Sequence, residues 1–355
     1  MRFLKELLIA CFLLLGILAV SNLDQGVQVY ATDQTRVIVY PTTDLEHVVA
    51  KHPDVQIVDA QDDIVSYPAA KQQAINKALL GDPQVRLIEN VVIPPTFQWG
   101  TYREALKKQA DQYLDGDWGT ILYSSAPDKP RPITEHLGEM TLRSLTYLIP
   151  GLLLGLVGGF ACALIAVLKP RVGRVFDWLH SLLMGLPDFF VVVFLQFIAI
   201  LLARMAGKTV FLIMQFQDHV PYLIPLLAIA VMPGTLIYGT LRLAIEREWE
   251  EGYIKTAYAK GLSRPMVIVR HMIRNTWEDL LTVIPRALAV GITAMVIAEV
   301  LCGIFALGGF GINSSIITTS AIPTTCAILA GFVLIARWLV LFSRRTIIVD
   351  TKEGA

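Results

Sequence analysis

Charge is the first thing this sequence is short of. Only 17% of its 355 residues are Asp, Glu, Lys or Arg, against about a quarter in an average soluble domain. A disordered or strongly solvated chain is thereby excluded. Neither sign is in excess, since 30 basic and 30 acidic side chains cancel. A nucleic-acid binder needs surplus positive charge to displace counterions, so that class is excluded as well. Cysteine is scarce: Cys11, Cys162, Cys302 and Cys326 all fall in or beside apolar segments, where they read as small buried side chains. None lies between residues 22 and 141, so no disulfide framework supports that stretch. The six histidines are scattered, no His/Cys cluster has metal-ligand spacing, and no resident metal is expected. A phosphate loop is missing too. Gly207-Lys208-Thr209 ends like one, but Leu202 stands where the first glycine is required. No cofactor is expected in this chain, and no nucleotide hydrolysis by it.

What fills the sequence instead is hydrophobic: 54% of residues, with a mean hydropathy of +0.56. A bilayer span needs about 20 mostly apolar residues. Six runs qualify or nearly so, at 7–20, 145–168, 182–203, 222–241, 280–304 and 322–342. An even number puts both termini on one side. Basic residues in short loops favour the cytoplasm. With the N-terminus inside, fifteen Lys and Arg lie in the inner segments and two, Arg204 and Lys208, in the short outer loops. Both termini are therefore expected in the cytoplasm of a cell with a multi-pass protein in its plasma membrane. The basic start and Ala19-Val20-Ser21 also fit a cleavable signal. The cleavage site is poor, and the run is read as a retained first span. On either reading the next segment lies outside.

The boundaries that follow are a first span at 1–21, an extracytoplasmic domain at 22–141, a five-span core at 142–345 and a cytoplasmic tail at 346–355. The outer segment carries 17 acidic and 10 basic side chains, the remainder 13 and 20. The neutral total is thus an acidic outer cap on a basic-inside membrane core. Runs rich in β-branched residues at 36–40, 55–60 and 85–93 predict strands, and 69–80 and 102–114 predict helices. A small α/β domain results. Its carboxylates form no cluster with ligand spacing, so a solvated surface is the better reading.

The sharpest local signal lies in the loop at 242–277. Residues 246–261 read as a short helix stopped by Gly261, which suits a left-handed C-terminal position. Ser263 can cap a second helix with Pro265 in its first turn. Tyr253, Ala257 and Lys260 share a face, with alanine leaving room for close approach. The residues alone leave two readings equally open, a solvated positive loop or a docking knob.

Resemblance separates them. The stretch Tyr253-Ile-Lys255-Thr256-Ala257-Tyr-Ala259-Lys260-Gly261-Leu262-Ser263, followed by residues 270–275, resembles the coupling loop of ABC-importer permeases, in the oligopeptide and dipeptide subfamily. Lys255-Thr256-Ala257 stands at the Glu-Ala-Ala positions of the broader pattern and Gly261 at its glycine. His271, Ile273 and Arg274 replace its later Ile, Leu and Pro, as is usual in the peptide type. Residues 113–120, 185–190 and 305–311 are similar to three further subfamily elements, with Gly308 where proline is usual. Cys302 takes the usual glutamate position, one turn after Glu299. The resemblance covers roughly residues 101–345.

It implies an all-α polytopic permease of six transmembrane helices, the α/β domain being inserted between the first two. It implies an ATP-driven importer subunit for oligopeptides or dipeptides, with nickel chelates, glutathione and sugars as alternative cargo. The implied partners are a second, related permease, two ATPase subunits that hold ATP and Mg, and an extracytoplasmic solute-binding protein. An ion-coupled secondary transporter is the rival from another class. It requires uptake that survives ATP depletion, and the inverted repeats that would favour it are not visible.

Charges inside spans are costly and often functional. Glu299 and Asp188 are candidates for the translocation path, with an interhelical bond as the equal alternative for Glu299 and a structural role the leading one for Asp188. Arg286 reads as a side chain that snorkels. Gly151, Gly155 and Gly159 form a four-residue ridge for close helix packing, within the chain or against a partner permease.

Overall fold

The computed structural model describes residues 2–41 and 44–347. The chain divides into two compact units, one of residues 18–115 and one of 1–17 with 116–355. Helix α1 (Arg2–Ser21) runs from one into the other. The tail expected at 346–355 lies outside the described residues from 348 on.

In the smaller unit, α2 (Leu23–Gly26) leads into β1 (Val27–Val39), followed by α3 (Leu45–Val49), β2 (Gln56–Asp59), β3 (Ile64–Ser66), α4 (Gln72–Gly81), β4 (Val85–Phe97) and α5 (Trp99–Leu114). The sheet order is β2-β3-β1-β4, all antiparallel. Alternation sets the faces. Thr35 and Val37 point inward from β1, in register with Val65 of β3 and Ile88 of β4 respectively. Val37, Val65, Val85, Leu79 and Ile75 share one core. Helix α4 contributes Ile75 and Leu79 at i, i+4 spacing. It stops before Pro83, where Asp82 is already extended, as a residue preceding proline must be.

The larger unit begins with β5 (Thr120–Tyr123) and β6 (Ala126–Pro132). The expected outer segment ran to 141, but the compact unit ends at 115, because β5 is the centre strand of a second sheet whose other edge is β7 (Ile316–Thr319). The Thr120 backbone N–H donates to Ser320 Oγ at 3.0 Å, and Thr324 Oγ1 donates to the Trp118 carbonyl at 2.5 Å. Residues 118–120 thus fasten the lead-in to one long helix, at Ile133, to the start of another, at 320–324.

The helices are α6 (Thr134–Leu168), α7 (Pro170–Gly185), α8 (Asp188–Ala206), α9 (Leu223–Glu248), α10 (Gly252–Ala259), α11 (Arg264–Val267), α12 (Ile273–Leu301) and α13 (Ile322–Ile347). Among the described residues, five stretches are long and apolar enough to cross a membrane: within α6, α8, α9, α12 and α13. The expected first span lies in α1, a helix of 20 residues in which Glu6–Ser21 is apolar.

One expected span is relocated. The run at 182–203 is two helices, broken where Leu186 is extended ahead of Pro187. Proline excludes the α conformation from the residue before it and donates no hydrogen bond. Asp188 consequently sits in the first turn of α8, directly after this break, where a carboxylate complements the helix dipole.

Helices α6 and α9 cross at the glycine ridge. A methyl on Gly155 would lie 2.6 Å from the Ala230 carbonyl oxygen, and one on Gly159 would strike that of Gly234. Gly151 abuts Ile229. The ridge expected for packing either inside or outside the chain is used inside it.

Candidate coupling site

Helix α10 is a short outlying element held by its inward face. Ile254 and Ala257 are buried in a cluster with Val167 of α6, Ile245 of α9, Val267 of α11, and Ile268 and Met272, which lead into α12. Residues 268–272 form a π turn, so α11 continues into α12 with one widened turn, a feature often found at functional sites.

The turn after α10 follows from its glycine. Gly261 has φ +78°, a conformation that costs L side chains and suits glycine. Its N–H donates to the Tyr258 carbonyl at 2.9 Å, and the Leu262 N–H reaches back to the Ala257 carbonyl at 3.3 Å. These two bonds are the Schellman pattern. Leu262 then packs into the same cluster as Ala257, supplying the apolar contact that usually accompanies it.

Two of the expected docking residues need reassignment. Ala257 leaves room for the chain's own core, because its face points inward, and Tyr253 is half-buried beside it. Lys260 is exposed, together with Lys255, Thr256, Tyr258, Ala259, Gly261 and Ser263; Leu262 is half-buried. The outward strip is therefore Lys255, Thr256, Tyr258, Ala259 and Lys260. Tyr258 stacks on Trp249 at 6.3 Å between ring centroids, and the Arg264 guanidinium lies 5.2 Å from the Trp249 ring.

Ser263 is extended at the start of α11, but its hydroxyl makes no capping bond; its carbonyl accepts from the Val267 N–H at 3.0 Å. A lost side-chain cap usually costs about 1 kcal/mol. Ser263→Ala is expected to stay within about 0.5 kcal/mol of the parent, as read by thermal unfolding of the purified protein. A clear destabilisation would restore the capping role.

Polar ties join α10 to α9 and brace the helices around it. The Tyr253 hydroxyl donates to the Glu248 carboxylate at the end of α9, and Asn275 Nδ2 donates to the same carboxylate at 3.1 Å from the start of α12. Burial, then the bond and charge of Glu248, push the Tyr253 phenol up to about 12. It therefore remains a donor throughout the physiological range. Arg247 and Asp279 add an ion pair of 2.7 Å between α9 and α12. Arg264 Nη2 donates to the Val167 carbonyl at the end of α6, at 3.3 Å. The eight-residue α10 is thus bonded to α9, and the helices around it are bonded to one another.

Glu299 is fully buried. Its Oε1 accepts from Ser144 Oγ at 2.6 Å and from the Tyr147 hydroxyl, both on α6, and its Oε2 accepts from the Gly308 N–H at 2.5 Å. The Leu307 N–H donates to Ser144 Oγ at 3.2 Å, closing the group. Glu299 therefore takes the interhelical alternative: it ties α12 to α6 and to the 305–311 turn, and lines no surface of this chain. Cys302 is also buried, 3.6 Å from Gln196 Nε2.

One charge pair escapes the sequence reading. Arg337 of α13 meets Glu6 of α1 at 2.9 Å, so two apolar helices neutralise each other's charge.

The family described as the binding-protein-dependent transport system inner membrane component matches residues 151–348, more than half the chain. The chain belongs to that family, the membrane permeases of ABC importers. Dipeptide transport system permease protein DppB of Bacillus subtilis (strain 168) is 35% identical over 88 residues, 25% of this chain and 28% of that protein. The chain therefore spans little more than a quarter of that curated relative in the match. Two solved structures of inward-facing conformations of the MetNI methionine ABC transporter are similar at lower identity. The CY5 native form gives 14% identity and a TM-score of 0.47, and the CY5 selenomethionine-soak form 13% and 0.48. Each covers 61% of this chain and 98% of the other.

Proposed function

We propose that this permease imports peptides and that α10 receives the motion of separate ATPase subunits. The observation that carries the reading is the two-sided build of α10. Its outer strip, Lys255, Thr256, Tyr258, Ala259 and Lys260, is exposed, while Ile254 and Ala257 are embedded among α6, α9, α11 and the turn that leads into α12. A push on the strip moves three spans together and switches the path between inward-facing and outward-facing states. The orientation with both termini inside, supported by the distribution of basic residues, puts α10 on the ATPase side. The unit at 18–115 then lies outside, as part of the surface that receives a solute-binding protein. A second, related permease completes the path. The partial match to a dipeptide permease supports peptide as the cargo.

Gly261→Pro tests the coupling. Proline fixes φ near −65° and has no N–H, so it removes both the left-handed turn and the bond to Tyr258. With the partner subunits present, ATP-dependent uptake of a labelled peptide is expected to fall about tenfold, in line with the roughly 1–3 kcal/mol that a backbone forced out of its native conformation costs. The tagged wild-type chain is expected to bring down an ATPase subunit. Full uptake by the variant, or uptake that survives ATP depletion, contradicts the reading.

A further inference from the structure

The surfaces of the long helices are of two kinds. On α8 every exposed residue from 189 to 202 is apolar, Phe190, Val193, Phe194 and Phe197 among them. On α6 the exposed residues from 149 to 168 are all Ile, Leu or Val, and those of α13 from 322 to 342 are Ile, Trp, Leu or Phe. These are faces for lipid. Helix α12 differs. Between 280 and 301 its only exposed residues are Thr282, Arg286 and Thr293, and every apolar side chain there is buried or half-buried. At 100° per residue the three fall within about 40° of each other. The line continues to the coupling end of the helix through Glu278 and Asn275, both exposed.

An arginine on a lipid-facing stripe is costly, and nothing about a lipid face would exclude apolar residues from that sector. Among the described residues Arg286 has no ion-pair partner. By contrast Arg337, the basic residue of α13 within its span, is paired with Glu6. The nearest charge on the stripe is Glu278, two turns away, about 12 Å along the axis. A guanidinium so placed offers a fork of donors to a carboxylate or another oxyanion.

We propose that this face of α12 is a water-filled wall of the translocation path and that Arg286 contacts the anionic group of the transported solute. The inference rests on the importer reading and names the part of the cargo that is recognised: in a peptide, its carboxylate. Thr282 and Thr293 flank the contact without charge, so among the described residues this stripe offers one anion-binding group between 280 and 301.

The test uses the assembled importer in vesicles, with the four native cysteines replaced. Thr282→Cys and Thr293→Cys are expected to react with water-soluble methanethiosulfonates at least about tenfold faster than Val193→Cys on α8, because the thiolate forms only in water. At Thr282→Cys, the rate ratio of the anionic sulfonatoethyl reagent to the cationic trimethylammonioethyl reagent is expected to drop about tenfold on adding Arg286→Gln, and to persist with Arg286→Lys. Slow labelling at both threonine positions means that lipid or a second protein copy covers the face, and overturns the proposal. So does a rate ratio insensitive to Arg286. In uptake, Arg286→Gln is expected to raise KM about tenfold or more for a peptide with a free C-terminal carboxylate and to leave its amidated form unchanged. An equal change for both peptides overturns the carboxylate assignment. Absence of wild-type uptake for either peptide removes the peptide reading, while the labelling experiments still decide the wall and its anion preference.

Discussion

Gly159→Leu is expected to abolish assembly of the folded permease, and Gly155→Leu to come close to it. At both positions the obstacle is the backbone carbonyl of α9, at Gly234 and Ala230, and a backbone cannot turn aside as a side chain can. Overpacking a core with movable neighbours costs about 1–3 kcal/mol. Here α6 and α9 must separate, losing the packing of Tyr147, Leu148 and Ile229 nearby, so a cost of about 3 kcal/mol or more is expected. Gly158 supplies the control. It lies on the same helix, but an added methyl there meets nothing within 4 Å, and replacing glycine raises helix propensity. Size-exclusion of the detergent-solubilised fluorescent fusion is expected to show a monodisperse peak for Gly158→Leu and aggregate or no peak for Gly159→Leu. Equal behaviour of the two variants would place the ridge elsewhere than in the α6–α9 contact.

Glu299→Ala is expected to have the second large effect, again on stability before transport. It strands three buried donors, Ser144 Oγ, the Tyr147 hydroxyl and the Gly308 N–H. Each unsatisfied buried group costs about 1–3 kcal/mol, so a loss of about 3 kcal/mol or more is expected. Glu299→Gln keeps one carbonyl oxygen for the two hydroxyls but turns an amide N–H₂ toward the Gly308 N–H. It should fall between the parent and Glu299→Ala. Thermal unfolding midpoints of the three purified proteins rank them. The opposite pattern, unchanged midpoints with uptake abolished, would return Glu299 to the translocation path.

The unequal legibility of this sequence has a physical basis. Hydrophobic runs announce long helices directly, and the strands near residues 36, 56 and 85 announce themselves by β-branched alternation; these are properties of contiguous residues. Gly261 was legible for the same reason, since a left-handed turn depends on one residue and its neighbours. What depended on distant residues was hidden. Thr120 pairs with a strand some 200 positions later, so the stretch at 116–132 read as part of the outer segment although its hydrogen bonds belong to the helical unit. The spacing of Tyr253, Ala257 and Lys260 defined a helical face but not its direction, and Ala257 turned inward. Glu299 read as a path or interhelical group and Arg286 as a snorkelling one, from depth in the span alone. The faces of α12 separate them, one carboxylate sealed by three donors and one guanidinium left on the surface. Leu186-Pro187 carried a readable break, but a continuous apolar run on both sides masked it.

The claim that most needs a direct measurement is that the outer strip of α10 touches an ATPase subunit. A photo-crosslinking residue in place of Tyr258, which is 40% exposed, reports contact without requiring that transport be impaired. In the assembled, ATP-hydrolysing importer, illumination is expected to join this chain to an ATPase subunit, with no such adduct from position 193 on α8. Failure to form the adduct from position 258, or adducts only with the solute-binding protein, would contradict the assignment of α10 as the coupling element.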